Sequence, residues 1–208
     1  QDKWQTDLNK LQNTEVSSTI VDIILRRIEM LADKEKNLLS YAAVIGREFE
    51  IDLLYYLSEQ SKEDVVSIVD KAIDMQLLEQ SLIEKGRILF VHDRIKDAFY
   101  KDIGDTKKKK LHLKIAKIIE RLNKDKIDSM IFDLAHHYTV AGDNEKSLEY
   151  AIPAAKLAKE NHANEEAIRY LTLATVLLEE KGDKMTKVWL EIRQNLGELY
   201  LTIGRNDE

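Results

Sequence analysis

The sequence predicts a mainly α-helical protein with one small β-hairpin. Two observations carry this. A single Pro and seven Gly punctuate 208 residues, 44% of them hydrophobic, and the apolar residues recur at helical spacing over most of the length. In one place the pattern changes: the apolar runs in residues 77–83 and 87–91 flank the turn Glu84-Lys85-Gly86 and read as paired strands.

Composition excludes several classes. With no cysteine, disulfides, thiolate zinc sites and cysteine nucleophiles are ruled out, and a reducing, cytoplasmic setting is expected. No apolar run approaches the roughly 18 residues of a membrane span, so no membrane partner is expected. The chain opens at Gln1 without a methionine and stops shortly after a helical pattern, and we read it as a piece of a longer protein.

In residues 1–17, a polar linker, only Trp4, Leu8 and Leu11 offer apolar contact. A first helix is predicted over 18–31, with Ser18 or Thr19 as cap and Ile20, Ile24, Ile28 and Leu31 on one face. Asp33 is expected to cap a second helix carrying Leu38, Leu39, Ala42, Ala43 and Ile45, which Gly46 ends. Phe49, Ile51, Leu53, Leu54 and Leu57 form a short helix after a turn. Ser61 caps a longer one with Val65, Val66, Ile68, Val69, Ala72, Ile73 and Met75, and the hairpin follows.

Helices followed by a hairpin are the order of a winged helix, predicted over residues 18–104. Such a module often lays its last helix in the major groove of DNA. Here that helix has Lys62 and Lys71 against Glu63, Asp64, Asp70 and Asp74, the wrong balance for a phosphate backbone. The module is therefore expected to be structural and regulatory, and nucleic acid is not the expected partner.

The sharpest functional signal follows the hairpin, in Phe90-Val91-His92-Asp93-Arg94-Ile95-Lys96-Asp97-Ala98-Phe99-Tyr100. Ile95, Phe99 and Ile103 at helical spacing start a helix near Asp93, whose carboxylate is the expected N-cap. His92 then sits at a strand-to-helix junction, where a helix N-terminus favours an anion. Together with Ala42-Ala43-Val44-Ile45-Gly46-Arg47-Glu48-Phe49, this stretch resembles the region after the nucleotide-binding core of STAND-class signal-transduction ATPases. These are AAA+-related proteins, and the likeness is to large multidomain sensor kinases, nucleotide cyclases and transcription regulators. The resemblance implies that His92 and Asp93 sense the β-phosphate of ADP held by an upstream core. No glycine pair in the chain has the spacing of a P-loop, and no Gly-x-Ser-x-Gly elbow is present, so this piece is not expected to be an enzyme or to hold a cofactor of its own.

Residues 105–126 form a connecting helix with Leu111, Ile115, Ile118, Ile119 and Leu122 as its apolar face. Over residues 105–122 it carries seven basic residues against two acidic ones, with Lys107, Lys108, Lys109 and Lys110 crowded at a start where the macrodipole disfavours them. A solvated face is the plain expectation; the sharper one is contact with a partner, with a nucleic-acid-binding regulator as the alternative function. Over 127–208, helices fall at 127–141, 145–161, 164–181 and 185–203. Leu134, Ala135, Tyr138, Gly142, Asp143, Ser147 and Tyr150 are spaced so as to resemble a tetratricopeptide repeat, with the small residues where two helices approach closely. Pro153 departs from that pattern and predicts a kink.

Asp133 and His137 have the i, i+4 spacing of a metal pair, with His136 beside them. No third ligand is evident, so packing is expected and no metal; His112 and His162 are expected at the surface or in caps. The expected whole is a non-catalytic regulatory segment of a signalling ATPase. Its winged helix would dock on its own nucleotide-binding domain, and its repeats would receive a protein or peptide.

Overall fold

The computed structural model describes residues 26–82, 84 and 86–204, and the predicted contacts of Trp4, Leu8, Leu11 and residues 18–25 lie outside them. The chain is mainly helical, with one three-stranded antiparallel sheet. One compact unit ends at Asp105 and a second begins at Thr106.

In the first unit, residues 26–29 are helical and α1 (Asp33–Ile45) follows, closed at Gly46 as its sequence predicts. Asp33 is the first residue of α1 rather than its cap. Ala32 holds the cap position, and its N–H is taken by Glu35 Oε2 at 2.8 Å. The same carboxylate accepts Lys71 Nζ at 2.7 and 2.9 Å, tying α1 to α3 (Lys62–Asp74). Lys71 first, and the Ala32 N–H second, hold the Glu35 carboxyl below its ordinary range.

Phe49 departs from expectation. It lies in a strand, β1 (Glu48–Glu50), which precedes the short helix α2 (Ile51–Ser58). The ring is 2% exposed while Glu48 and Glu50 face out, a period-two alternation only three residues long. Ser61 caps α3 as expected, its Oγ accepting the Asp64 N–H at 3.1 Å. The hairpin strands are β2 (Leu78–Gln80) and β3 (Arg87–Phe90), and the sheet order β1-β3-β2 places β3 at the centre. Register pairs Phe49 with Ile88 and Leu78 with Phe90. Phe90, fully buried, packs its ring 6.0 Å from Phe49 and 6.3 Å from Phe99. Phe99 and Ile95 are the buried residues of α4 (Asp93–Lys101), so sheet and helix share one core with Leu38, Leu39 and Val69.

The second unit is built from α5 (Asp105–Leu122), a 3-10 turn (Ile127–Met130), α6 (Ile131–Ala141), α7 (Asn144–Glu160), α8 (Asn164–Lys181) and α9 (Lys187–Thr202). From α6 onward each helix packs on the next, and the short connections make neighbours antiparallel. Small side chains line these contacts: Ala135, Ser147, Ala151, Ala154, Ala158, Ala167 and Ala174 are buried. Gly142 serves another purpose than close approach. No atom lies within 4 Å of where its Cβ would be; its φ of +79° closes α6 in the left-handed conformation that favours glycine. The helical assignment of α7 is continuous through Pro153. Leu122, expected on the apolar face of α5, is 44% exposed. Among the described residues no helix is long and apolar enough to cross a membrane.

A half-buried polar network joins α5 to α6 and α7. Tyr138 and Tyr150 stack with centroids 5.6 Å apart and planes 2° from parallel, and both donate to the Glu120 carboxylate at 2.6 Å. Lys146 Nζ adds a third donor at 3.1 Å. Burial alone would raise the Glu120 carboxyl; the bonds from Tyr138, Tyr150 and Lys146 outweigh it and hold the group below its ordinary value. Replacing Glu120 with Gln removes the charge to which three donors are aimed, and should lower unfolding free energy by about 1–3 kcal/mol at neutral pH. Because the folded carboxyl titrates below its unfolded value of 4.5, this contribution is complete above that pH and fades as pH falls through the folded value. Urea melts of both proteins across that range should converge in acid.

Candidate functional site

The junction between β3 and α4 holds His92 and Asp93, the residues for which the family resemblance implies nucleotide sensing. β3 stops at Phe90, whose burial fixes the end of the strand, and α4 starts at Asp93. The cap is one residue earlier than expected: His92, with extended backbone (φ −145°, ψ 141°), accepts the Arg94 N–H on Nδ1 at 3.1 Å. Asp93 is thereby released from capping and lies 3.4 Å from Arg47 Nε, reaching from α4 to the residue before β1. Both side chains are exposed. With Nδ1 used as an acceptor, the neutral His92 ring carries its proton on Nε2, the atom able to donate to an anion. The local surface carries His92, Arg94 and the Arg47–Asp93 ion pair, all exposed, at the N-terminus of a nine-residue helix. This chemistry suits a phosphate. In the sequence Arg47 stands within the resembling stretch Ala42–Phe49, just after a helix-ending glycine, with nothing to pair it with Asp93.

Lys107, Lys109 and Lys110 are exposed on the first turns of α5, with Lys108 half-buried. The opposite balance holds on α3. Lys62 bonds Asp52 at 2.8 Å and Lys71 bonds Glu35, while Glu63, Asp70 and Asp74 remain exposed. The outward face of α3 is thus acidic in effect, as its composition predicts.

A third grouping is one that sequence reasoning missed. His112, expected at the surface, is 1% exposed on the inner face of α5, and His137 of α6 is 2% exposed. Their Nδ1 atoms are 2.7 Å apart, and the exposed His136 completes the group. Burial, reinforced by His136 and Lys108, pushes the His112 imidazole down to about 4; burial, then His112 and His136, holds His137 well below its ordinary value. The signal lay in spacing, since His112 stands three and seven residues before the buried Ile115 and Ile119. His162, also expected in a cap, is exposed with φ +58° just after α7.

Over 77 residues, 37% of this chain, the sequence is 27% identical to hybrid signal transduction histidine kinase G of Dictyostelium discoideum. The matched segment spans only 2% of that much longer protein. No family model and no solved structure matches the chain. The partial similarity is to a signal-transduction protein and hints at a signalling role.

Removing the His92 side chain should fray α4. His92→Ala is expected to cost about 0.5–1 kcal/mol in chemical denaturation, while His92→Asn, which keeps a cap acceptor, should stay near the parent.

Proposed function

We propose that this chain is a non-catalytic regulatory segment of a multidomain signalling ATPase of the STAND class. In this reading residues 18–104 form a winged helix that docks on an upstream nucleotide-binding core. Residues 127–208 are tetratricopeptide-like hairpins that receive a protein or peptide, and the preceding helix, 105–126, connects the two. ADP or ATP is bound by that core and not by this piece. The observation that supports the proposal best is the junction itself, where His92 caps a helix through Nδ1 and leaves its ring N–H exposed beside the Arg47–Asp93 pair.

Three further observations support it. The element order of the first unit, with helices before a hairpin and the last strand central, supports the winged-helix reading. The consecutive packing of α6 to α9 suits an α-helical repeat with a binding surface. The partial similarity to a hybrid histidine kinase agrees with a place in a large signalling chain. In the mechanism, His92 Nε2 donates to the terminal phosphate of ADP and keeps the winged helix docked. A partner that binds the repeats better in the undocked state shifts the equilibrium towards it. DNA is a poor partner for the first unit, because the cations of α3 are already engaged by Asp52 and Glu35. The lysines of α5, Lys107, Lys108, Lys109 and Lys110, are its candidate contact for an acidic partner.

The test uses the chain joined to its upstream core. His92→Asn, which preserves the cap, should weaken ADP retention in calorimetry and raise basal output. ADP affinity equal to that of the parent would remove His92 from the mechanism. Tight ADP binding by residues 1–208 alone would show that the chain contains a complete nucleotide site, and the proposal would fall.

A further inference from the structure

His136 and His137 are consecutive on α6, and consecutive residues on a helix point about 100° apart, so both seldom meet one partner. Here both meet His112 of α5. The three ring centroids are 5.0, 5.3 and 5.5 Å apart, close to an equilateral triangle, and one potential ligand nitrogen from each ring lies within 4.8 Å of the other two.

We propose that His112, His136 and His137 form a binding site for a divalent transition-metal ion of the zinc class. The 2.7 Å pair is by itself a good hydrogen bond, and it is the third ring, His136, at matching distance from both that points to an ion. An imidazole nitrogen sits about 2.0–2.1 Å from zinc, so the ring centroid lies about 3.2 Å from the ion, and tetrahedral ligands place their centroids about 5.2 Å apart. The observed spacings bracket that value. The nitrogens need only small rotations: tetrahedral ligands stand about 3.4 Å apart, so the 2.7 Å pair must open by about 0.7 Å and the widest must close by about 1.4 Å or less. Three neutral imidazoles suit zinc, copper or nickel and exclude magnesium and calcium, which take oxygen ligands.

Position in the fold supports the same assignment. Two ligands are buried and one is exposed, so the ion would be held from inside and reached from outside. His136 lines a surface groove with Phe132, Asp133, Arg169 and Tyr170, and the fourth coordination position would be filled by water or by a donor entering from that groove. Because the ligands come from α5 and α6, the ion would clamp the basic helix to the first of the packed helices. The site rests on these distances alone and is independent of the nucleotide-sensing reading.

The experiment takes the whole chain, stripped with chelator, and titrates it with Zn2+ by calorimetry and with Co2+ by visible absorption. One equivalent should bind, Co2+ should give the intense visible bands of tetrahedral nitrogen coordination, and Zn2+ should raise the thermal midpoint. His136→Ala removes an exposed ligand without opening a cavity. It should weaken Zn2+ by about 100-fold, since even the loss of an outer partner of a ligand costs about 10–100-fold. His136→Gln should behave the same way, and His162→Ala should leave binding unchanged. Absence of saturable uptake, or uptake undiminished by both His136 variants, would overturn the proposal and leave the trio as a hydrogen-bonded packing cluster.

Discussion

In the second unit, buried polar groups must find partners, and that constraint decides how α5 is held. Its apolar face alone would permit it to slide along α6 and α7, since Leu, Ile and Ala contacts are not directional. Glu120 removes that freedom. A carboxylate out of water is costly unless its lone pairs are filled, and here two phenols and an ammonium fill them at 2.6 to 3.1 Å. The two tyrosines come from different helices, so the bond geometry fixes α5, α6 and α7 at once. Two turns earlier on α5, His112 meets His137, a second directional contact. Register of α5 is therefore set at both ends of its buried face.

The first unit solves the same problem with apolar shape instead. Phe90 ends the central strand with its ring between Phe49 and Phe99, which belong to the neighbouring strand and the following helix. Strand and helix must then change direction within two residues, Val91 and His92, both exposed. The turn leaves the first N–H groups of α4 in need of an acceptor, and the His92 ring supplies one. The position of the candidate sensing residue is thus a consequence of core packing below it.

Elements long enough to show their period were legible in the sequence. The helices beginning at Asp33, Lys62, Asp105 and Asn164 follow from apolar spacing, with Ser61, Gly46 and Gly182 marking ends. What failed was local and short. β1 is three residues, too few for alternation to be distinguished from the start of α2. The α4 cap is His92 and not Asp93, whose carboxylate lies against Arg47, a tertiary contact no local rule contains. Of the candidate sites, the junction histidine and the lysine row could be read directly. The histidine cluster could not, because it joins residues 25 positions apart on different helices.

His112 and His92 show why residue type alone carries so little. Both are imidazoles, yet one is solvent-facing at a helix start and spends Nδ1 on a backbone N–H, while the other, in mid-helix, is sealed against a second histidine. Exposure leaves His92 free to exchange its outer bond between water and an anion, at little cost either way, which is what a reversible sensor requires. Burial denies His112 that exchange. A buried imidazole facing another imaginable only as its hydrogen-bond partner gains little from selection for anything but packing, unless a third donor joins the pair. His136 is that third donor, and it stands on the side of α6 that solvent reaches.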